Sequence, residues 1–122
     1  MNNKIILVGR VVKDPVAKPQ KDSTNQVVKF SLAVKEFTAN SEEKKTLYFD
    51  FDAWNGLGER IMNQVFAGQE LVVEGRISYS DYIQEVEGFE VQRRKHFIKL
   101  STFTLVGDSP EKNPPEEEEA AA

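Results

Sequence analysis

Residues 47–54, LYFDFDAW, constrain this chain more than any other stretch. A strand sends alternate side chains to opposite faces. One face of this strand carries Leu47, Phe49, Phe51 and Ala53; the other carries Tyr48, Asp50, Asp52 and Trp54. Only one set can fill a core. The other holds two aromatic rings and two carboxylates outward, and the rings are then either platforms for flat groups or packing beneath a loop or a subunit partner.

The flanking segments share this period of two. Residues 4–13, KIILVGRVVK, form a β-rich run, and Gly9 within it marks a bend, a bulge or a close backbone approach. Asp14-Pro15 ends the run, and the polar residues 16–26 are expected to be loop. In residues 27–37, VVKFSLAVKEF, Val28, Phe30, Leu32 and Val34 face one way. Lys29, Ser31, Ala33, Lys35 and Phe37 face the other, a mixture that suits either a solvated face or one that follows a phosphate backbone while a ring stacks. Residues 38–46 are a polar loop.

After the central strand the period changes. Leu57, Ile61 and Val65, with Met62 and Phe66 beside them, make one apolar helix face, and Gly68 falls where a helix C-cap would stand. Strand patterning returns in residues 69–80, where Leu71, Val73, Gly75, Ile77 and Tyr79 share a face opposite Val72, Glu74, Arg76, Ser78 and, further on, Tyr82. Residues 83–93 are a hairpin or long loop around Gly88, and 94–106 are again β-rich. The fold class is therefore all-β: five strands with one short helix between strands 3 and 4, the order of an OB-fold barrel. A parallel α/β domain is disfavoured by a single, late helix.

Composition divides the chain. Residues 108–122, DSPEKNPPEEEEAAA, hold six of the 20 acids and one of the 16 basic residues, which leaves 15 basic and 14 acidic residues in 1–107. We expect one domain over 1–107 and an acidic, Pro-containing disordered tail over 108–122. A net charge of −4 thus hides a nearly neutral body. No cysteine is present, which excludes disulfides and thiolate metal sites. No run approaches the ~18 apolar residues of a membrane span, and residues 1–10 do not resemble a signal peptide. A cytoplasmic or equivalent organellar location is expected.

Catalytic patterns are missing. His96 has no second histidine to work with, Asp50 and Asp52 alone are weak grounds for a metal or a carboxylate pair, and no phosphate-binding glycine loop or HExxH occurs. We expect no enzyme and no metal.

Several pieces in order resemble the bacterial-type single-stranded DNA-binding proteins of the OB-fold class, over roughly residues 2–107. NKIILVGRVVKDP at 3–15 looks like that family's first strand and FSLAV at 30–34 like its second; Trp54 to Glu59, Gly68 and VEGRI at 73–77 match its helix and fourth strand in spacing. The resemblance implies a homotetramer that coats and protects single-stranded DNA without sequence preference and without a cofactor, in replication, recombination and repair. It places family stacking positions on Tyr48, Trp54 and Tyr82, with Phe37 offset by one from a fourth. Lys29, Lys35 and Arg76 share faces with these rings and are expected to meet phosphates, and Arg10 likewise.

The chain departs from the family in two places. Asp50 and Asp52 stand where the family carries neutral or basic residues, so either bases alone cross that strand, or nearby cations pair the aspartates, or binding is weak. The family tail ends in an acidic tip with Pro-Phe, whereas this sequence ends EEEEAAA, which puts docking of replication and repair enzymes there in doubt. Two alternatives stay open: an OB-fold accessory subunit of primosome type, with Asp50 and Asp52 as a partner-docking patch, and a single-stranded RNA binder.

Overall fold

The computed structural model describes residues 2–20, 25–37 and 44–107. Its elements are β1 (Ile5–Val11), β2 (Val16–Pro19), β3 (Gln26–Phe37), β4 (Lys44–Trp54), α1 (Asn55–Gln64), β5 (Glu70–Val86) and β6 (Phe89–Val106). The sheet runs β1-β5-β6-β4-β3-β2, and a further β1–β3 pairing through Arg10, Val11, Leu32 and Ala33 closes five of the strands into a barrel. Closure needs one parallel contact, Phe51 with Ile98 and Asp52 with Lys99, between β4 and β6. Counted by barrel strands, α1 lies between the third and fourth, as the sequence order implies.

The inward faces are those that alternation selects. Val28, Phe30 and Leu32 of β3 and Phe51 and Ala53 of β4 are buried with Val11, Leu71, Val73, Ile98, Leu100 and Phe103. Phe30 and Phe51 are register partners whose rings stack at 5.0 Å between centroids. Ile61 of α1 and Val65 just past its end plug the barrel, and Arg60 lies over the Phe103 ring at 5.0 Å. Fully burying one such side chain contributes about 1.5–3 kcal/mol.

Gly9 and Gly75 of the barrel strands are dictated by space. A Cβ on Gly9 would run into the Ala33 carbonyl, and one on Gly75 into the Lys99 carbonyl. The latter sits at the irregularity where β6 slips register against Glu74 and Gly75. Bending at a bulge is how a sheet turns a barrel corner.

Two expectations need correction, and one open alternative is resolved. Residues 16–19 are strand, not loop: once β1 leaves β3 at Val11, Val16–Pro19 takes over the same flank against Gln26–Lys29. It is an edge strand, where proline is tolerated, so its Pro19 misled. The helix ends at Gln64, with Val65 already extended. Gly68, at φ 90°, serves the turn into β5, and its N–H donates to the Val11 carbonyl at 2.8 Å. Residues 83–93 resolve to the hairpin alternative: β5 and β6 stay paired out to Val86 and Phe89 as a long arm. Its turn is Glu87-Gly88 with φ of 52° and 86°, two positive values in succession, as in the tight turns that match strand twist.

Candidate nucleic-acid interface

The outer face of β4 carries Tyr48, Asp50, Asp52 and Trp54 on alternate positions. Tyr48 is 66% exposed and Trp54 37%. Six residues of strand separate the two rings by about 20 Å. Trp54 stands where β4 turns into α1, opposite Val27. The turn is made by Asn55 at φ 51°, a backbone region that asparagine tolerates, and its Oδ1 accepts the Gln26 N–H at 3.2 Å.

The flanking strands set cations beside this face. One register row crosses four strands as Lys29, Asp52, Lys99 and Arg76. Lys29 Nζ bonds Asp52 Oδ1 at 2.9 Å, and the Asp52 side chain is only 10% exposed. Two residues back, Asp50 accepts the Ser31 hydroxyl at 2.6 Å and lies 3.5 Å from Lys95 Nζ. Of the three resolutions open for these aspartates, the geometry is that of pairing by nearby cations, with cationic charge left over on the face. Lys35 lies on β3 opposite Thr46, diagonal to Tyr48, and is exposed.

The arm supplies the other wall. Arg76, Ser78, Ser80 and Tyr82 share one face of β5, and Tyr82 is 48% exposed. Opposite them in register are Lys99, Phe97, Lys95 and Arg93 of β6. Between arm and barrel runs an open groove of about 660 Å³, lined by Lys13 and Lys18 on one side, Lys29, Ser31, Asp50 and Asp52 on its floor, and Ser80, Lys95 and Phe97 on the arm. Tyr48 and Trp54 stand beyond it along β4. Arg76 makes no ion pair among the described residues, since Glu74 pairs with Lys4 instead at 3.3 Å.

The opposite face of the arm is differently built. Asp81 and Arg94 bond at 2.9 Å, and Arg94 lies over the Tyr79 ring at 4.0 Å. Arg94 holds the Asp81 carboxyl below its ordinary range, and Asp81 in turn raises Arg94. The His96 ring is tilted against Tyr79 at 5.7 Å.

Of the residues singled out from sequence, Tyr48, Trp54, Lys29, Lys35, Arg76 and Tyr82 therefore lie on one continuous surface. Arg10 does not join them. It shares a register row with Ala33 and Tyr48, but its guanidinium turns to the opposite flank, donating to the Gly68 carbonyl at 3.0 Å and pairing with Glu70 at 3.7 Å. Phe37 ends β3, and its side chain lies outside the described residues, as do residues 38–43 and the tail 108–122. Sequence reasoning missed Arg93, Lys95, Phe97 and Lys99. Their alternation along β6 puts all four beside Arg76 and Tyr82, and that period was the available signal. Among the described residues, no three His, Cys, Asp or Glu side chains converge as a metal site.

A closed five-stranded barrel with one helix, an outward aromatic-and-cation face and a protruding hairpin defines an OB-fold protein of the kind that holds unpaired nucleic acid. A sequence model described as the single-strand binding protein family matches residues 2–106, and the chain belongs to that family. It is 35% identical to the mitochondrial single-stranded DNA-binding protein 1-A of Xenopus laevis, across 88% of this chain and 73% of that one. It is 31% identical to single-stranded DNA-binding protein 1 of Clostridium acetobutylicum, across 74% of this chain and 91% of that one. Among solved structures, a Plasmodium falciparum SSB complex with ssDNA superposes with a TM-score of 0.74 at 23% identity, covering 88% of this chain and 96% of that one, a likeness of fold.

Proposed function

We propose that this protein coats single-stranded DNA without regard to sequence class, protecting transient single strands in replication, recombination and repair. Bases stack on Tyr48, Trp54 and Tyr82, with Phe37 as a fourth platform, and the phosphates are guided by Lys29, Lys35 and Arg76. The observation that carries this reading is the continuity of the surface. Three exposed rings on two separate strands share one face with a cation row between them. Base–aromatic stacking contributes ~1–3 kcal/mol per base and accepts any base. The protein acts as a binder rather than a catalyst, at the nucleoid or its organellar equivalent.

Assembly as a homotetramer is supported by the outer face of β1. Ile6 and Val8 are both at least half exposed there. From Ile5 to Gly9 the strand pairs on one side only among the described residues. An open, apolar strand edge invites a second copy. The docking-patch alternative is not favoured, because Asp52 is nearly sealed under Lys29.

The test uses the single tryptophan. Titration with oligo-dT should quench Trp54 fluorescence strongly at low salt and more weakly as salt rises. Absence of quenching at low salt would refute the reading.

A further inference from the structure

We infer that Asp50 makes this face discriminate among bases, favouring those that carry an exocyclic amino group over thymine. The inference rests on the reading that bases lie across β3 and β4.

The two aspartates on this face differ in what they can still do. The Asp52 side chain is 10% exposed and held by Lys29 at 2.9 Å, so it shows little acceptor surface to the groove. The Asp50 side chain is 47% exposed. The Ser31 hydroxyl fixes one of its oxygens at 2.6 Å, and Lys95 stands at a loose 3.5 Å from the other. An ionised carboxylate has about four acceptor positions, so Asp50 keeps acceptor capacity open to the groove in a fixed orientation. The remaining polar side chains of the groove are mostly donors: four lysines and two serines. Asp14, the third acid there, accepts the Ala67 N–H at 2.8 Å.

A base stacked on Tyr48 lies one alternate position away from this acceptor, about 7 Å along the strand. Cytosine offers its N4 amino group to a carboxylate and adenine its N6 amino group. Thymine offers no amino group; its one donor, N3–H, lies between two carbonyl oxygens, which a carboxylate repels. The stacking platform is indifferent to the base; the carboxylate beside it is not. Coating therefore remains general while its strength depends on composition.

The experiment compares oligo-dC with oligo-dT of equal length, bound by the full chain as parent, Asp50→Ala and Asp50→Asn. The affinity ratio of dC to dT should fall about ten-fold in Asp50→Ala, as for loss of one hydrogen bond to a charged acceptor. Asp50→Asn, which keeps a carbonyl acceptor without the charge, should retain part of the ratio. A ratio unmoved in Asp50→Ala overturns the inference, including the case where both homopolymers bind equally more tightly because only repulsion was removed. If the parent binds neither homopolymer, the stacking face itself falls along with this inference; if it binds both and the ratio is unmoved, only this inference does.

Discussion

Asp52 and Lys29 show how a carboxylate can sit on a face built for phosphates. Alternation puts Asp52 between Tyr48 and Trp54, where a bare negative charge would repel DNA. Directly opposite in register stands Lys29, bonded at 2.9 Å, with Lys99 on the other flank. The lysine is thereby partly withdrawn from DNA. Replacing Asp52 with Asn should release it: oligo-dT affinity should rise at low salt, and the slope of log K against log salt should steepen by about 0.7, the value of one added single-strand phosphate contact. An unchanged slope would mean that Lys29 serves the barrel alone. The aspartates were legible as a problem in the sequence, because period two fixes their face. Their solution was not, because the partners come from β3 and β6, and register between distant strands is set by barrel closure rather than by local pattern.

The long β5–β6 hairpin is the element that carries Tyr82 to the site. Beyond the barrel it has no core, so its shape rests on backbone pairing, the Glu87-Gly88 turn and the contacts along its faces. The contact of Asp81, Arg94 and Tyr79 is one of these. Because the Asp81 carboxyl is held below its ordinary value, what the pair contributes is present at neutral pH and is lost as pH falls through that lowered value. Both groups are exposed, so the global transition should hardly move. Amide protection over residues 79–96, taken relative to the intrinsic exchange rate at each pH, should instead fall selectively in acid, and Asp81→Asn should reproduce that fall at neutral pH. Equal exchange in parent and variant at neutral pH would remove the pair from any role in the arm. The strands and helix of the barrel were readable because each buries one face at a fixed period. The helix end, β2 and the arm were harder, since a short edge strand ending in a proline and a two-sided polar hairpin have no buried face to impose a pattern.

At the scale of the whole molecule, a nearly neutral body is joined to an acidic stretch over 108–122. We propose that this stretch competes with phosphates for the cations of the groove; competition between charges is strongest where screening is weakest. Removal of 108–122 should tighten oligo-dT binding at low salt and matter little at high salt; equal affinity at both would refute competition. The barrel, by contrast, owes its stability to apolar burial and should be indifferent to that deletion. This separation of duties, with burial inside and rings and cations outside, is what lets a change in the site leave the fold standing. Trp54→Ala examines that separation most directly, by oligo-dT affinity and thermal unfolding measured side by side. The account predicts binding weaker by about 1–3 kcal/mol, with a stability loss well below the ~2–5 kcal/mol of a core truncation such as Ile61→Ala. A collapsed thermal transition with affinity retained by the folded fraction would contradict it and return the indole to the core.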